Sequence, residues 1–313
     1  MPVFIRCLVA LLICATVPAE TVPVIVYEVR LALQAGDFNA ARQRLQHFRA
    51  ATGATPEYVE ALSWIGRGEL AAKQYPAAEE TSAEVRLLAL EFLKRRKLDA
   101  DTSLPTALGA AIEVQALAAV AQGRRDQAVS FLAAEETRWY ATSIRARIRK
   151  NLNLLTLEGK PAPALELARS VTGQRAQTLA QHRGHPVLLF FWAHWCSDCK
   201  QEIAVIQHLQ QTYGKRGLVV IAPTQHYGYV AGGVDATPAV ETQYIGEIFT
   251  QYYAALGPVE TPLSEENFAR FGISTTPTLV LVDGAGIVRL YNPGNLSYEK
   301  LALKIEPLLQ RRP

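Results

Sequence analysis

The sequence predicts two folded parts in one chain: an all-α first half and an α/β second half. Three observations carry this. The chain has 313 residues, about twice the usual single-domain size. From Glu28 to about Leu157 it is rich in Ala, Leu, Arg, Glu and Gln and shows no strand-like alternation. After Gly159-Lys160-Pro161-Ala162-Pro163, short apolar runs alternate with stretches of helical spacing. Apolar residues make up 49% and charged residues 19%, which excludes disorder, collagen and coiled coil as the main class. A net charge of +3 on this length gives no support for nucleic-acid binding. The expected division is a leader over 1–19, a helical domain over 20–158 and an α/β domain over 159–313.

The leader reads as a secretory signal peptide. Arg6 supplies a positive n-region, Cys7 to Ala15 an apolar h-region, and Val17-Pro18-Ala19 the small residues that place a mature start at Glu20. An uncleaved membrane anchor is the alternative. Lipoprotein processing at Cys14 is disfavoured by Ile13, where a small residue is expected. No other run approaches 18 apolar residues, so the remainder is expected to be soluble. Cleavage removes Cys7 and Cys14 and leaves Cys196 and Cys199 as the mature chain's thiols. The expected location is extracytoplasmic, periplasmic or secreted.

Within the helical half three segments look alike. Gly36-Asp37-Phe38-Asn39-Ala40-Ala41, Lys73-Gln74-Tyr75-Pro76-Ala77-Ala78 and Gly123-Arg124-Arg125-Asp126-Gln127-Ala128 each follow an apolar helical run. Each reads as helix, tight turn, helix, with a small Ala at the close-packing position. The pattern resembles tetratricopeptide repeats, in which paired helices stack on their neighbours. The first two turns are 37 residues apart and the next two 50, the excess fitting the polar insertion Lys94–Pro105. The resemblance implies a surface for a protein partner; a spacer or dimerisation role is the plainer reading. Arg145, Arg147, Arg149 and Lys150 form a basic cluster expected to be a solvated helix face.

In the second half, Pro163–Leu167 and the segment near Gln177–Leu179 are expected as short strands. Val187–Trp192 is a continuous apolar run, as in a central strand buried on both faces. Ser197–Tyr213 has helical spacing and Leu218–Ala222 reads as a strand. Thr278–Val282 and Ile287–Tyr291 flank the hairpin turn Asp283-Gly284-Ala285-Gly286. Leu296–Leu309 is a final helix interrupted at Pro307. The connection from Pro223 to Thr276 is long, with an aromatic stretch from Tyr244 to Tyr253, and is expected to hold a helix and a loop near the site.

The chemistry concentrates in Trp195-Cys196-Ser197-Asp198-Cys199-Lys200, where the buried strand ends and a helix begins. Two cysteines three apart at a helix N-terminus can form a small disulfide. The first thiol faces the positive end of the helix dipole, which favours its thiolate. That thiolate attacks a substrate disulfide and the second cysteine resolves the adduct. Downstream, Thr275-Thr276-Pro277-Thr278 precedes a strand, and the proline suggests a cis peptide bond.

Residues 159–313 therefore resemble a thioredoxin-like domain of the TlpA/ResA redoxin type. The matching signals run in order: Gly159–Pro163, Leu179 with Arg183-Gly184-His185-Pro186, the FFWAHWCSDCK segment, Glu202, Thr276-Pro277-Thr278 and Asp283-Gly284. The resemblance implies a thioredoxin-like fold and an exported thiol-disulfide oxidoreductase. Cys196 would be its nucleophile and Cys199 its resolving thiol. Glu202 would be a carboxylate able to tune or deprotonate Cys199. Trp195, Thr276 and Pro277 would face substrate, with strand-like pairing beside Thr276. Two departures stand out. Asp198 occupies a position often held by proline, and its charge should oppose thiolate formation and make the pair more reducing. Phe190 stands where thioredoxin itself carries a buried acid.

Other readings of the pair fit less well. Zinc would want four ligands, and only His194 is near. Peroxiredoxin-type domains carry Thr or Ser three residues before the reactive cysteine, whereas this chain has Ala193. The expectation is a redox-active dithiol needing no metal or organic cofactor. Its expected partners are protein disulfides and an upstream membrane or extracytoplasmic thiol donor, with no nucleic acid. The alternatives are a repeat-based binding scaffold with a redox-sensing domain, or a peroxiredoxin-like antioxidant.

Overall fold

A computed structural model describes residues 23–173 and 176–309. The expected leader, with Arg6, Cys7, Cys14 and the cleavage point at Glu20, lies outside the described residues.

The first half is a stack of helical hairpins. Helices α1 (Val24–Gln34) and α2 (Phe38–Thr52) form the first, α3 (Pro56–Ala71) and α4 (Tyr75–Phe92) the second, and α5 (Ser103–Ala121) and α6 (Arg125–Arg138) the third. Helix α7 (Arg145–Thr156) closes the stack. Successive odd-numbered helices pack on one another, α1 on α3, α3 on α5 and α5 on α7.

The three turns singled out in the sequence share one hydrogen-bonded closure. The third residue past each helix bonds back five positions, Asp37 to Ala32, Gln74 to Glu69 and Arg124 to Ala119. The residue before it bonds back three, Gly36 to Leu33, Lys73 to Leu70 and Gly123 to Val120. This double closure requires a left-handed residue in the turn, and Gly36, Lys73 and Gly123 have φ of 76°, 61° and 79°. Ala41, Ala78 and Ala128 then enter the following helices fully buried, because their small side chains let the hairpin close.

Helix α5 is long and apolar enough to cross a membrane by length and composition, yet its apolar residues are packed inside the array. The basic cluster on α7 differs from the solvated face expected. Arg147 and Lys150 both reach Glu113 of α5, at 2.6 and 2.8 Å, and Arg149 pairs with the buried Glu136 of α6. Gly109 permits this: a Cβ there would lie 3.1 Å from the Arg147 side chain that crosses it.

The second half is a four-stranded mixed sheet. Strands β1 (Val187–Phe191), β2 (Val219–Ile221), β3 (Thr278–Val282) and β4 (Val288–Pro293) lie in the order β2-β1-β3-β4, with β1 parallel to β2 and antiparallel to β3, and β3 antiparallel to β4. All five residues of β1 are buried. Its alternate side chains enter two different cores, since successive strand residues point to opposite faces. Leu188 and Phe190, continued by Trp192, pack with α8 (Ser197–Tyr213), α9 (Pro238–Ile248) and α11 (Tyr298–Leu309). Val187, Leu189 and Phe191 pack with Phe268 and Phe271 of α10 (Glu265–Phe271) and with Leu157 at the end of the helical half. Order, strand directions and helices on both faces make this a thioredoxin-like fold.

Two expected strands are not formed. Pro163–Leu167 and Gln177–Leu179 are irregular, and this stretch makes only isolated bridges, Pro161 to Ile287 and Ser170 to Pro262. Their backbone groups are satisfied instead by side chains, as where Asn267 Oδ1 accepts from Glu166 N at 2.6 Å and Asn267 Nδ2 donates to Glu166 O at 2.9 Å. The long connection holds two helices, α9 and α10, rather than one, and Pro307 falls in the last turn of α11.

The two halves share a core. Asn153 of α7 donates to Phe271 O at 2.8 Å, and the Tyr291 hydroxyl donates towards the Phe271 and Gly272 carbonyls at 3.0 and 2.9 Å. Gly272, with φ of 64°, sits directly against the α7 backbone: a Cβ would lie 2.6 Å from Lys150 N. Gly272→Ala is therefore expected to cost roughly 2 kcal/mol or more in chemical denaturation, from left-handed strain together with a backbone clash. Lys73→Gly, at an exposed left-handed position with no such neighbour, should raise stability by about 1 kcal/mol in the same measurement.

Candidate active site

Strand β1 ends at Phe191, and Trp192 and Ala193 remain fully buried behind it. Trp192 is anchored by Nε1 donating to Ala222 O at 3.0 Å and by its ring lying 4.4 Å from that of Tyr253. The chain then turns tightly, Cys196 N donating to Ala193 O at 3.1 Å. This turn puts Trp195 outside, 50% exposed, and His194 inside, 2% exposed. Cys196 becomes the N-cap of α8, its Sγ accepting from Cys199 N at 3.0 Å. The two cysteines form a disulfide with Cα atoms 5.3 Å apart. Cys196 is 3% exposed and Cys199 fully buried, so reagents approach from the Cys196 side. A helix N-terminus that donates to Cys196 Sγ stabilises negative charge there once the disulfide opens.

The remaining expected site residues assemble through the segment after β4. The Thr276–Pro277 peptide bond is cis. Pro277 O accepts from Gly294 N at 2.8 Å. The next residue, Asn295, donates through Nδ2 to Asp198 O at 3.2 Å, and Leu296 N donates to Glu202 Oε1 at 3.2 Å. One short stretch, Gly294–Leu296, thereby ties the proline loop to the first turn of α8. Thr276 Oγ1 is buried without a hydrogen-bond partner. Asp198 is exposed, so its charge acts on the thiols through solvent.

Glu202 lies one turn beyond Cys199 and is 2% exposed. Burial pushes its carboxyl up to about 7, opposed only by the Leu296 amide. This differs from an exposed first-turn acid, which the helix dipole would hold ionised. A carboxyl of that character can both accept and return a proton near neutral pH.

Sequence reasoning missed a second layer. The segment 225–241 folds against His194, whose ring is edge-on to Tyr227, Tyr229 and Tyr244 with centroids 5.5, 5.3 and 5.3 Å away. Glu241, 1% exposed, places Oε1 3.3 Å from His194 Nε2. Its two oxygens also accept from Tyr227 N at 2.6 Å and Gly228 N at 2.9 Å. Tyr227 meets the exposed Trp195 edge-on at 5.4 Å. It also lines a cleft of about 820 Å³ whose other walls include Tyr140, Ser143 and Arg145 of the helical half. No local spacing signals these pairs; the one hint is His194 itself, an imidazole in an otherwise apolar run that needs a partner if buried. Among the described residues no cluster of three His, Cys, Asp or Glu is placed to hold a metal.

Residues 159–225 match the AhpC/TSA family. Thioredoxin-like protein YneN of Bacillus subtilis is 26% identical over 149 residues, 48% of this chain and 79% of that protein. Thiol:disulfide interchange protein DsbE of Xylella fastidiosa is 30% identical over 155 residues, 49% of this chain and 70% of that protein. Thiol-disulfide oxidoreductase ResA of Oceanobacillus iheyensis is 27% identical over 154 residues, 49% of this chain and 73% of that protein. Among solved structures, a thiol:disulfide interchange protein of the thioredoxin family from Chlorobium tepidum is 18% identical, with a TM-score of 0.39, over 48% of this chain and 97% of that one. Through its second half the chain belongs to the DsbE and ResA family of thioredoxin-like thiol-disulfide oxidoreductases.

Proposed function

We propose that the protein exchanges disulfides in extracytoplasmic proteins, with Cys196 as nucleophile and Cys199 as resolving thiol. The observation that carries this reading is Cys196 Sγ as the cap of α8, bonded to the Cys199 amide and disulfide-linked to the one other cysteine beyond the leader. In the reduced protein the Cys196 thiolate attacks one sulfur of a substrate disulfide and expels the other as thiolate. Cys199, deprotonated towards Glu202, then attacks Cys196 Sγ and releases the substrate as a dithiol, leaving the internal disulfide. A thiol donor outside the cytoplasm returns the pair to the reduced form. The leader expected over 1–19 supports that compartment, and disulfide chemistry persists there.

Trp195 and the Thr276–Pro277 loop are the proposed substrate-facing surface. Residues 20–158 and 159–313 are proposed as two domains with one common core, in which the helical half presents a face for a protein partner. The cleft between Tyr227 and Tyr140 supports that role, because it runs from the helical half to the wall of the redox site.

Cys199→Ser should accumulate mixed disulfides with its substrates, visible on non-reducing gels and identifiable by mass spectrometry. Cys196→Ser should trap none and lose at least about 100-fold in insulin-disulfide reduction. Retained exchange in Cys196→Ser would sink the assignment, and peroxide consumption by the wild type would favour the antioxidant alternative.

Glu202→Gln should slow resolution about 10-fold at pH 7 and remove a titration near 7 from its pH profile. The same substitution has a stability signature. With a carboxyl raised from 4.5 to about 7, the folded chain binds more protons than the unfolded chain across that window. The contribution is therefore complete below 4.5 and is lost as pH rises through 7. Denaturation midpoints should show less decline over this range in Glu202→Gln than in wild type.

A further inference from the structure

The pair His194 and Glu241 lies outside the roles assigned so far, and its burial calls for a reason. Isolating a carboxylate and an imidazole from water is costly unless the surroundings answer both. Glu241 is answered by two backbone amides and by the imidazole. His194 is answered only in part: its Nε2 lies 3.3 Å from Glu241 Oε1 but is not aligned as a hydrogen bond. Three tyrosines of the 225–244 region lie edge-on to the ring, and burial raises Tyr227 and Tyr229 so that both remain neutral phenols. The one further charge that acts on the ring is Lys200 of α8, which opposes a positive imidazole and whose Nζ lies 4.1 Å over the Tyr252 ring.

We propose that His194 and Glu241 are a buried dyad that holds one of the two protons of disulfide reduction, as an imidazolium beside the Cys196 thiolate. This rests on Cys196 being the nucleophile. In the disulfide state Cys196 is neutral, and burial lowers the proton affinity of His194 more than Glu241 raises it, so the ring is neutral at pH 7. Reduction breaks the S–S bond and brings two electrons and two protons from the dithiol of the reducing partner, which leaves as a disulfide. One proton completes the Cys199 thiol and the other enters the imidazole, leaving Cys196 as thiolate. The chain places this charge close by: His194 is two residues from Cys196 within a turn closed by the bond from Cys196 N to Ala193 O. The new negative charge, two residues along the chain, and Glu241 then both favour one imidazolium, in an interior where charges are weakly screened. When Cys196 next attacks a substrate disulfide, its charge passes to the leaving sulfur and the ring returns its proton. Glu241 is thus a positioning residue. It holds the imidazole by charge and holds the segment around Tyr227 and Gly228 over it by two hydrogen bonds.

The test is an NMR titration of the His194 ring in the full chain, in the disulfide and the dithiol forms, assigned by the signal lost in His194→Gln. The expected midpoint is higher in the dithiol form by about one pH unit or more. In parallel, the iodoacetamide alkylation rate of reduced Cys196 is followed against pH. Glu241→Gln should move its midpoint upward and slow alkylation at pH 7 several-fold. Equal His194 midpoints in the two redox states, or an unmoved alkylation profile in folded Glu241→Gln, would overturn the dyad. The wild-type titration decides if that variant does not fold. Failure of Cys196 as nucleophile reads differently, as loss of exchange and of preferential alkylation at Cys196 in the wild type itself.

Discussion

Burial of β1 on both faces is the constraint on which the rest depends. A strand whose side chains alternate into two cores cannot slip by one residue without sending every side chain into the wrong core. Leu188, Phe190 and Trp192 are committed to the α8, α9 and α11 side, and Val187, Leu189 and Phe191 to the α10 side. The end of the strand is therefore fixed in space, and with it the turn that presents Cys196 as the cap of α8. Phe190 belongs to this same logic. Where thioredoxin carries an acid, this chain has a ring 6.3 Å from Tyr253, so proton traffic cannot use that position.

The polar groups that remain around the dithiol come from two other directions. Glu202 rises from α8 and is shielded by Gly294–Leu296, the same segment that bonds the Thr276–Pro277 loop. His194 descends from the turn and is shielded by the segment 225–241. Two titratable groups close in sequence to the cysteine pair thus have different environments, a carboxyl with raised proton affinity and an imidazole with lowered affinity. Opposed shifts of this kind separate acid and base roles near neutral pH.

The helical half is joined to this site rather than tethered beside it. Leu157 lies in the core under β1, Asn153 caps a carbonyl of α10, and Gly272 admits the α7 backbone at a distance no other residue would allow. Arg147, Arg149 and Lys150 of α7 are spent on Glu113 and Glu136, holding α7 to α5 and α6.

Much of this was legible in the chain. The three hairpin turns, the doubly buried strand, β3 with its hairpin and the cysteine pair at a helix start are all local patterns, and local sterics and side-chain periodicity act wherever the residues stand. The sequence likewise marked Cys196, Cys199, Glu202, Trp195, Thr276 and Pro277 as one candidate site. What only the tertiary structure decided are the facts that depend on which distant segments exclude water from a group. It turned Pro163–Leu167 and Gln177–Leu179 into side-chain-satisfied loops, made the α7 cations structural, buried Glu202 under Leu296 and set Glu241 against His194. Charge and proton affinity depend on the local dielectric, and that is created by packing between residues remote in sequence, so composition and spacing identify the thiols while the fold sets the environment in which they react.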